Sequence, residues 1–281
     1  MTLNNLKIMT KKFGIIGNPI KHSLSPILHN YWFKKYNIDA EYSIIDIKDS
    51  QLAEIIDKIK NKSLCGINIT LPYKQKIVPY VDVLVNDAEK TSSVNTVYLD
   101  DQNTIIGENT DVFGLQAAYL KEVDSAQNKK ALVIGAGGVS PSVILSLQKS
   151  GVTNITITNR TPEKCIFLKK KFKKLNIIEW KLLKTEIKNF DIILNATSLG
   201  LKNGEDFDFD FETNKSNLIY IDTIYNPLET KTLKYLKNQN RKVFNGLEMF
   251  IYQGQKAFYL WNKINPEIDQ KLLELLLSKL K

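Results

Sequence analysis

Residues 131–161 read ALVIGAGGVSPSVILSLQKSGVTNITITNRT, and they carry the strongest indication of the fold class in the chain. It predicts an apolar strand over 131–134, a glycine-rich turn over 135–138, a helix over 139–149 and a second strand over 155–158. Glycines let the backbone approach a ligand closely, and a helix N-terminus favours phosphate. Because the glycine-rich turn joins a buried strand to a helix, we expect a Rossmann-type dinucleotide-binding domain here.

The end of the second strand indicates which dinucleotide is bound. An NAD site usually places an acidic residue there for the ribose 2′-hydroxyl, whereas this strand ends in Asn159-Arg160-Thr161. The planar, permanently charged fork of Arg160 suits a 2′-phosphate, so we expect NADP. The candidate contacts in this part of the chain are Gly135, Ala136, Gly137, Gly138, Val139, Ser140, Asn159, Arg160, Thr161 and Lys164.

The chain before this domain predicts a separate α/β unit, because strands and helices alternate along it. Strands are predicted over 13–17, 42–47 and 66–70, with helices over 25–36 and 52–59. Two further strands, 94–99 and 104–107, flank the turn 100–103 and predict a hairpin at the sheet edge.

The remaining elements set the expected domain boundaries. A helix is predicted over 111–123 and a polar boundary over 124–129, while 191–196 and 218–221 predict later Rossmann strands. Apolar residues at helical spacing beyond Gly246 predict helices that pack back on the first unit. We therefore expect an α/β protein with two domains: residues 1–111 plus 247–281 bind substrate and carry catalysis, and residues 112–246 bind NADP.

Composition limits the class of protein. The 281 residues carry a formal charge of +9 and are 43% hydrophobic, as in a globular protein. No apolar run is long enough to span a bilayer and residues 1–12 lack a signal peptide, so we expect a cytoplasmic protein. Cys65 and Cys165 stand far apart without a metal-binding spacing, so neither zinc nor a disulfide framework is expected.

The positive charge leaves a nucleic-acid hypothesis open, since the lysines at 169–171, 173 and 174 could contact phosphates. The same segment contains Phe167, Leu168, Phe172 and Leu175, which predict the buried stripe of an amphipathic helix. We therefore interpret these lysines as its solvated face and expect no nucleic-acid partner and no membrane partner.

Four further motifs resemble those of the shikimate dehydrogenase family. His22-Ser23-Leu24-Ser25-Pro26 resembles its substrate-binding Ser-x-Ser loop, and INITLPYK at 67–74 resembles its Asn-x-Thr-x-Pro-x-Lys motif. SVNT at 93–96 and ENTD at 108–111 are similar to two more family motifs. The resemblance extends from Phe13 to Trp261 and implies an NADP-dependent oxidoreductase of the shikimate pathway, which supplies aromatic amino acids.

The resemblance implies roles for individual residues. Lys74 and Asp111 are the implied catalytic pair, beside the ketone of 3-dehydroshikimate. The implied substrate contacts are Ser23, Ser25, Asn68, Thr70, Lys74, Asn95, Asp111, Tyr225 and Gln253. Further implied cofactor contacts are Ala196, Thr197, Ser198, Thr223 and Gly246.

The implied chemistry agrees with these residue types. A polyhydroxylated acid needs many short polar partners, and reduction of a ketone needs positive charge and a proton at the oxygen. Lys74 can act there as the proton donor or as an electrostatic anchor, and the residues leave both roles open. Closure of the two domains about a hinge would bring substrate and cofactor together.

Two alternative functions stay open at this point, and so does the oligomeric state. The first is a quinate or shikimate dehydrogenase that uses NAD; the second is a non-enzymatic nucleotide-sensing or nucleic-acid-binding protein with the same fold. We expect a monomer or a homodimer. Three positions depart from the family pattern: Thr91-Ser92-Ser93 stands where Ile-Gly-Ala is common, Thr223 where relatives often carry Met, and Glu248 where a small residue is common.

Overall fold

The computed structural model describes residues 10–120, 123, 128–201 and 204–280. Within this part of the chain the strands form two six-stranded sheets, each covered by helices. No helix within the same ranges is long and apolar enough to cross a membrane.

The first sheet is mixed. Its strands are β1 (Lys11–Ile16), β2 (Ala40–Ile45), β3 (Gly66–Ile69), β4 (Val83–Leu84), β5 (Thr96–Leu99) and β6 (Ile105–Glu108). They lie in the order β2-β1-β3-β5-β6-β4, and β5 runs antiparallel to both of its neighbours. The helices of this half are α1 (Ser25–Lys35), α2 (Leu52–Lys60) and α3 (Asp87–Thr91).

The second sheet is fully parallel and carries the predicted Rossmann elements. Its strands are β7 (Lys130–Ile134), β8 (Asn154–Thr158), β9 (Leu175–Ile177), β10 (Ile192–Asn195), β11 (Ile219–Asp222) and β12 (Lys242–Phe244). Their order is β12-β11-β10-β7-β8-β9, so the chain changes direction across the sheet between β7 and β10. In such sheets ligands bind beyond the carboxyl ends of the strands at this change of direction.

The remaining helices precede the second sheet, connect its strands or follow its last strand. They are α4 (Thr110–Ala118), α5 (Ser140–Lys149), α6 (Pro162–Lys171), α7 (Leu183–Glu186) and α8 (Lys231–Asn238), followed by α9 (Leu247–Asn262) and α10 (Gln270–Leu277). Residues 131–134 are completely buried because helices cover both faces of a parallel sheet. This burial explains why the sequence there is apolar without alternation.

The C-terminal helices pack back on the first half, as predicted. Helix α9 contacts α1 and α4, and α10 contacts α1. Trp32, Phe258, Leu272 and Leu276 are fully buried in the resulting apolar cluster. Because α4 also contacts α5, the α4–α9 pair joins the two sheets.

Three predicted features were wrong in detail. The hairpin of β5 and β6 is present but does not lie at the sheet edge, because the two-residue strand β4 pairs with Ile106 and Gly107 outside it. The helix predicted over 111–123 ends at Ala118, where Tyr119 leaves the helical conformation to donate a hydrogen bond to the carbonyl of Asn245. Phe167 is 65% exposed and does not belong to the buried stripe.

The predicted stripe is otherwise buried but is not wholly helical. Leu168, Phe172 and Leu175 are buried as predicted, but α6 ends at Lys171, so Phe172 follows the helix and Leu175 begins β9. The predicted boundary 124–129 lies largely outside the described residues, since 124–127 are not among them.

Candidate active site

Lys74 reaches the cleft between the two sheets because the preceding residue anchors the turn after β3. Tyr73 is 1% exposed and its hydroxyl donates a hydrogen bond to the carbonyl of Ile47 at 2.9 Å. The amide of Val94 bonds the Lys74 carbonyl at 2.8 Å, which ties the turn to the segment before β5. Lys74 itself lines the cleft.

Asp111 lies in the first turn of α4, directly after β6, and meets Lys74. The Lys74 Nζ donates to the Asp111 Oδ2 at 2.6 Å, and the two side chains are 11% and 5% exposed. The side chain of Asn109 caps α4 by accepting a hydrogen bond from the Asp111 amide at 3.1 Å. The ammonium and the carboxylate predicted as a pair are therefore in direct contact, although they come from separate segments.

Asn95 and Gln253 complete the polar group around Asp111. The Asn95 Nδ2 donates to the Asp111 Oδ1 at 2.8 Å and to the Gln253 Oε1 at 3.3 Å. The Asn95 Oδ1 accepts from the amide of Thr110 at 2.8 Å. Both carboxylate oxygens of Asp111 thus have a partner, so its orientation is set before any substrate binds.

Asn68 faces the protein interior, where its main partner is Tyr42. The Tyr42 hydroxyl donates to the Asn68 Oδ1 at 2.7 Å, and the Asn68 Nδ2 donates to the carbonyl of Asn95 and to the Thr96 Oγ1, both at 3.1 Å. Burial raises the pKa of Tyr42 well above its usual value, although a hydrogen bond with Ser25 opposes this shift. Strand alternation predicts that Tyr42 is buried but not what its hydroxyl bonds.

The remaining predicted substrate contacts lie on loops that follow strands, except Ser25, which is buried and begins α1. Ser23 is half-buried in the loop after β1, where its hydroxyl accepts a hydrogen bond from the Ser25 amide at 3.2 Å. Thr70 follows β3 and packs closely on Gly17. Tyr225 follows β11 and packs on Phe250 with ring centroids 4.9 Å apart. Burial raises the pKa of Tyr225 to about 12.

The glycine-rich loop has the geometry of a phosphate-binding turn. Gly135 has a φ of +108°, and a Cβ there would lie 2.8 Å from the carbonyl oxygen of Ala196, so only glycine fits. A Cβ on Gly137 would meet no atom closer than 4.0 Å, and one on Gly138 would meet Leu71 at 3.0 Å. The loop therefore exposes backbone at Gly137 beside the N-terminus of α5, as a dinucleotide phosphate requires.

A cleft of about 390 Å³ separates the two halves at this loop. Leu71, Lys74 and Gln75 line it on the side of the first sheet. On the other side it is lined by Ala136, Gly137, Gly138, Glu163, Lys164, Phe167 and Leu168. The exposed Phe167 that departs from the predicted stripe is thus a wall of the cleft.

The end of β8 fits a 2′-phosphate. Arg160 is about half exposed, its guanidinium lies 5.6 Å from the ring centroid of Trp180, and it donates to the Glu205 carboxylate at 2.8 Å. The Asn159 Oδ1 accepts from the amide of Ala136 at 3.1 Å, which fixes the glycine-rich loop to the end of β8. Thr161 begins the turn into α6 as its N-cap.

The other predicted cofactor contacts lie on the same edge, with two exceptions. Thr197 and Ser198 follow β10, Thr223 follows β11 with its hydroxyl bonded to the Asn195 carbonyl at 2.9 Å, and Gly246 follows β12. A Cβ on Gly246 would lie 2.2 Å from the Thr223 carbonyl oxygen, so glycine is required there. Val139 packs on the core, and the Ser140 hydroxyl is fully buried, so neither side chain faces the cleft.

The comparisons with known proteins agree with this geometry. Residues 15–97 match the family model of the shikimate dehydrogenase substrate binding domain, and residues 118–223 match that of shikimate / quinate 5-dehydrogenase. The shikimate dehydrogenase (NADP(+)) of Pelagibacter ubique is 46% identical over 268 residues, covering 95% of this chain and 99% of that protein.

Solved structures give the same result. A shikimate dehydrogenase in complex with NADP+ superposes with a TM-score of 0.87 at 34% identity, covering 97% of this chain and 96% of that one. The Thermus thermophilus enzyme in complex with NADP(H) and shikimate gives 0.83 at 27% identity, covering 96% and 99%. The chain belongs to the shikimate dehydrogenase family.

Proposed function

We propose that this chain catalyses the reversible, NADP-dependent reduction of 3-dehydroshikimate to shikimate. One observation carries the proposal: the nearly buried ion pair of Lys74 and Asp111, 2.6 Å long, beside the cleft that the glycine-rich loop borders. A cation held beside a cleft by a fixed carboxylate is suited to an oxygen that gains negative charge.

The proposed chemistry follows from this pair. The reduced nicotinamide, when bound, supplies the hydride that adds to the carbonyl carbon. As the C=O π pair moves to oxygen, the Lys74 ammonium donates a proton there, and the alcohol forms with loss of one N–H bond from Lys74. Asp111 holds the Lys74 ammonium in position, and Asn95 holds Asp111. A positioned acid of this kind contributes roughly 10²- to 10⁴-fold in rate.

We assign substrate contacts by chemical type. The hydroxyls of Ser23 and Ser25 suit the carboxylate of the acid, and the amide of Gln253 and the hydroxyl of Thr70 suit its hydroxyl groups. Asn68 holds Asn95 through the carbonyl of that residue, so it supports the site from inside. We assign Tyr225, which follows β11 and packs on Phe250, to the substrate contacts as well.

On the cofactor side, the exposed backbone of Gly137 and the N-terminus of α5 would hold the pyrophosphate, and Arg160 with Lys164 would hold the 2′-phosphate. We assign residues 1–111 plus 247–281 to substrate binding and residues 112–246 to NADP binding. The grouping of the two sheets supports this division, as does the packing of α9 and α10 on α1. A cytoplasmic location, the monomeric or homodimeric state and the absence of a nucleic-acid partner stay predictions.

The test is an absorbance assay for reduced nicotinamide with the purified full chain and four pairs of reagents: shikimate or quinate, each with NADP or NAD. We expect the largest kcat/KM with shikimate and NADP. Faster turnover with quinate and NAD would replace this proposal by the first alternative. No turnover with any pair, together with salt-sensitive binding to DNA or RNA, would replace it by the second.

A further inference from the structure

A buried amide side chain joins the backbone of Asp111 to the helix that follows the glycine-rich loop. The Asn109 Nδ2 donates to the Thr91 Oγ1 and to the Ser142 Oγ, both at 2.9 Å. The Asn109 Oδ1 accepts from the amide of Asp111 at 3.1 Å. Thr91, Asn109 and Ser142 are at most 2% exposed. We call these three side chains the connector.

The connector spans both halves of the molecule. Thr91 ends α3 beside the first sheet, Asn109 caps α4, and Ser142 lies in the first turn of α5. A buried amide whose N–H groups and oxygen are all bonded has one low-energy orientation, and a shift of any partner breaks a bond that water cannot replace. Movement at the start of α5 must therefore be followed by the start of α4, where Asp111 lies.

A second contact links the same two places. The fully buried Ser93 hydroxyl donates to the carbonyl of Gly138 at 3.3 Å. Two residues later, Asn95 donates to the Asp111 Oδ1 at 2.8 Å. The glycine-rich loop and the start of α5 are thus joined to two partners of Asp111: through Ser93 to Asn95, which bonds the Asp111 Oδ1, and through Ser142 to Asn109, which accepts from the Asp111 amide.

From these contacts we infer that Asn109 and Ser142 are positioning residues, which couple occupancy of the glycine-rich loop to the orientation of Asp111. The inference rests on the proposed function, because it takes the ligand of the loop to be the dinucleotide. It predicts that dinucleotide and substrate bind cooperatively. It also predicts that removal of the Ser142 hydroxyl weakens this cooperativity without weakening the binding of either ligand alone.

NADPH and shikimate form a suitable pair of probes, because the reduced cofactor and the alcohol cannot react with each other. The Kd of NADPH is measured by nicotinamide fluorescence without shikimate and with saturating shikimate, and the ratio of the two values is the coupling. Coupling in proteins is typically about 5- to 150-fold. In Ser142→Ala we expect the ratio to fall by at least about 3-fold, with the Kd of NADPH alone within about 2-fold of wild type.

Ser146→Ala is the matched control. Ser146 lies one turn further along α5 and is equally buried, but its hydroxyl bonds the carbonyls of Ser142 and Val112 and does not contact Asn109. A general loosening of α5 would lower the coupling ratio in both variants, whereas the connector predicts a loss only in Ser142→Ala. If Ser142→Ala does not fold, Thr91→Val removes the other acceptor of the Asn109 amide at nearly constant volume and should lower the ratio too.

The outcomes separate the two proposals. A wild-type protein that oxidises shikimate with NADP but binds NADPH equally well with and without shikimate overturns the coupling alone. Equal loss in Ser142→Ala and Ser146→Ala, or no loss in Ser142→Ala, overturns it as well. A wild-type protein that neither oxidises shikimate nor binds NADPH overturns the proposed function.

Discussion

The two sheets present different surfaces to the cleft. Beside the first sheet, the functional side chains bond one another: Lys74 contacts Asp111, which contacts Asn95, and all three are nearly buried. Beside the second sheet, the glycine-rich loop offers open backbone at Gly137, and Arg160 is about half exposed. The groups proposed for chemistry are therefore oriented by the fold, whereas those proposed for cofactor binding are left accessible.

This comparison predicts that substitutions on the first side change turnover and those on the second change affinity. The largest effect is expected for Lys74→Ala, which removes the proton donor and the positive charge. We expect kcat to fall by roughly 10³- to 10⁴-fold, because both general-acid and electrostatic stabilisation are lost. The Kd of NADP, measured by titration, should change by less than about 3-fold.

Lys74→Arg distinguishes the two roles that the sequence leaves open. Arginine keeps the positive charge but does not release a proton in proteins. If Lys74 is the proton donor, the arginine variant should be nearly as slow as the alanine variant. Near wild-type turnover in Lys74→Arg would show that Lys74 acts as an electrostatic anchor. Full activity in Lys74→Ala would contradict the assignment of Lys74 and Asp111 as the catalytic pair.

The second prediction concerns Arg160 on the accessible side. In Arg160→Gln we expect the Kd of NADP to rise by about 10- to 100-fold, the worth of charge-assisted hydrogen bonds to a phosphate. The Kd of NAD, which lacks the 2′-phosphate, and the kcat at saturating NADP should change little. Isothermal titration with both dinucleotides measures this difference.

Glu205→Gln is the control for Arg160, since it removes the anion that pairs with Arg160 in the structure. We expect this variant to bind NADP at least as tightly as wild type, because exposed ion pairs contribute little stability and the carboxylate competes with the phosphate. An equal rise of the Kd of NADP and NAD in Arg160→Gln would mean that Arg160 does not recognise the phosphate.

The same difference between the two sides of the cleft explains which features could be predicted from the sequence. The glycine-rich loop was predictable because its chemistry depends on the backbone, and the residue types at 135–138 and at Arg160 state that requirement locally. The parallel strand 131–134 was predictable because burial on both faces leaves an unbroken apolar run. The pairing of Lys74 with Asp111 followed only from the family resemblance, since nothing in either segment specifies a partner 37 residues away.

The features that escaped prediction depend on contacts distant in sequence. A two-residue strand such as β4 is too short for an alternating pattern. Tyr42 holds Asn68 through a hydroxyl whose partner lies on another strand. Phe167 has the spacing of a buried residue but lines the cleft between the two halves. Each of these requires the tertiary arrangement that a single sequence does not display.

The smallest expected effect concerns the side of the first sheet, through the pH dependence of the free energy of unfolding. His29 is fully buried in α1 and stacks on Tyr42 with ring centroids 4.4 Å apart, and neither of its ring nitrogens has a hydrogen-bond partner among the described residues. Burial lowers the pKa of His29 from 6.5 to about 3. The folded state therefore keeps His29 neutral at pH values where the unfolded chain protonates it.

The sign of the effect follows from proton linkage. Between pH 6.5 and about 3 the unfolded chain binds one more proton at His29 than the folded chain, so the free energy of unfolding falls as the pH falls. The stability that His29 contributes is complete above pH 6.5 and is lost towards its folded pKa of about 3. Well below pH 6.5 the loss amounts to about 1.4 kcal/mol per pH unit.

His29→Phe keeps an aromatic ring against Tyr42 and removes the titrating group. The free energy of unfolding of wild type and variant is measured with urea at pH 7, 6 and 5. As the pH falls, we expect it to fall more steeply for wild type than for His29→Phe. His22→Gln, a change of the exposed histidine in the loop after β1, should follow wild type at every pH. Parallel pH profiles for wild type and His29→Phe would mean that His29 is protonated in the folded chain. The interior behind Ser25 and Asn68 would then admit water, and it would be less rigid than the orientation of Lys74 and Asp111 requires.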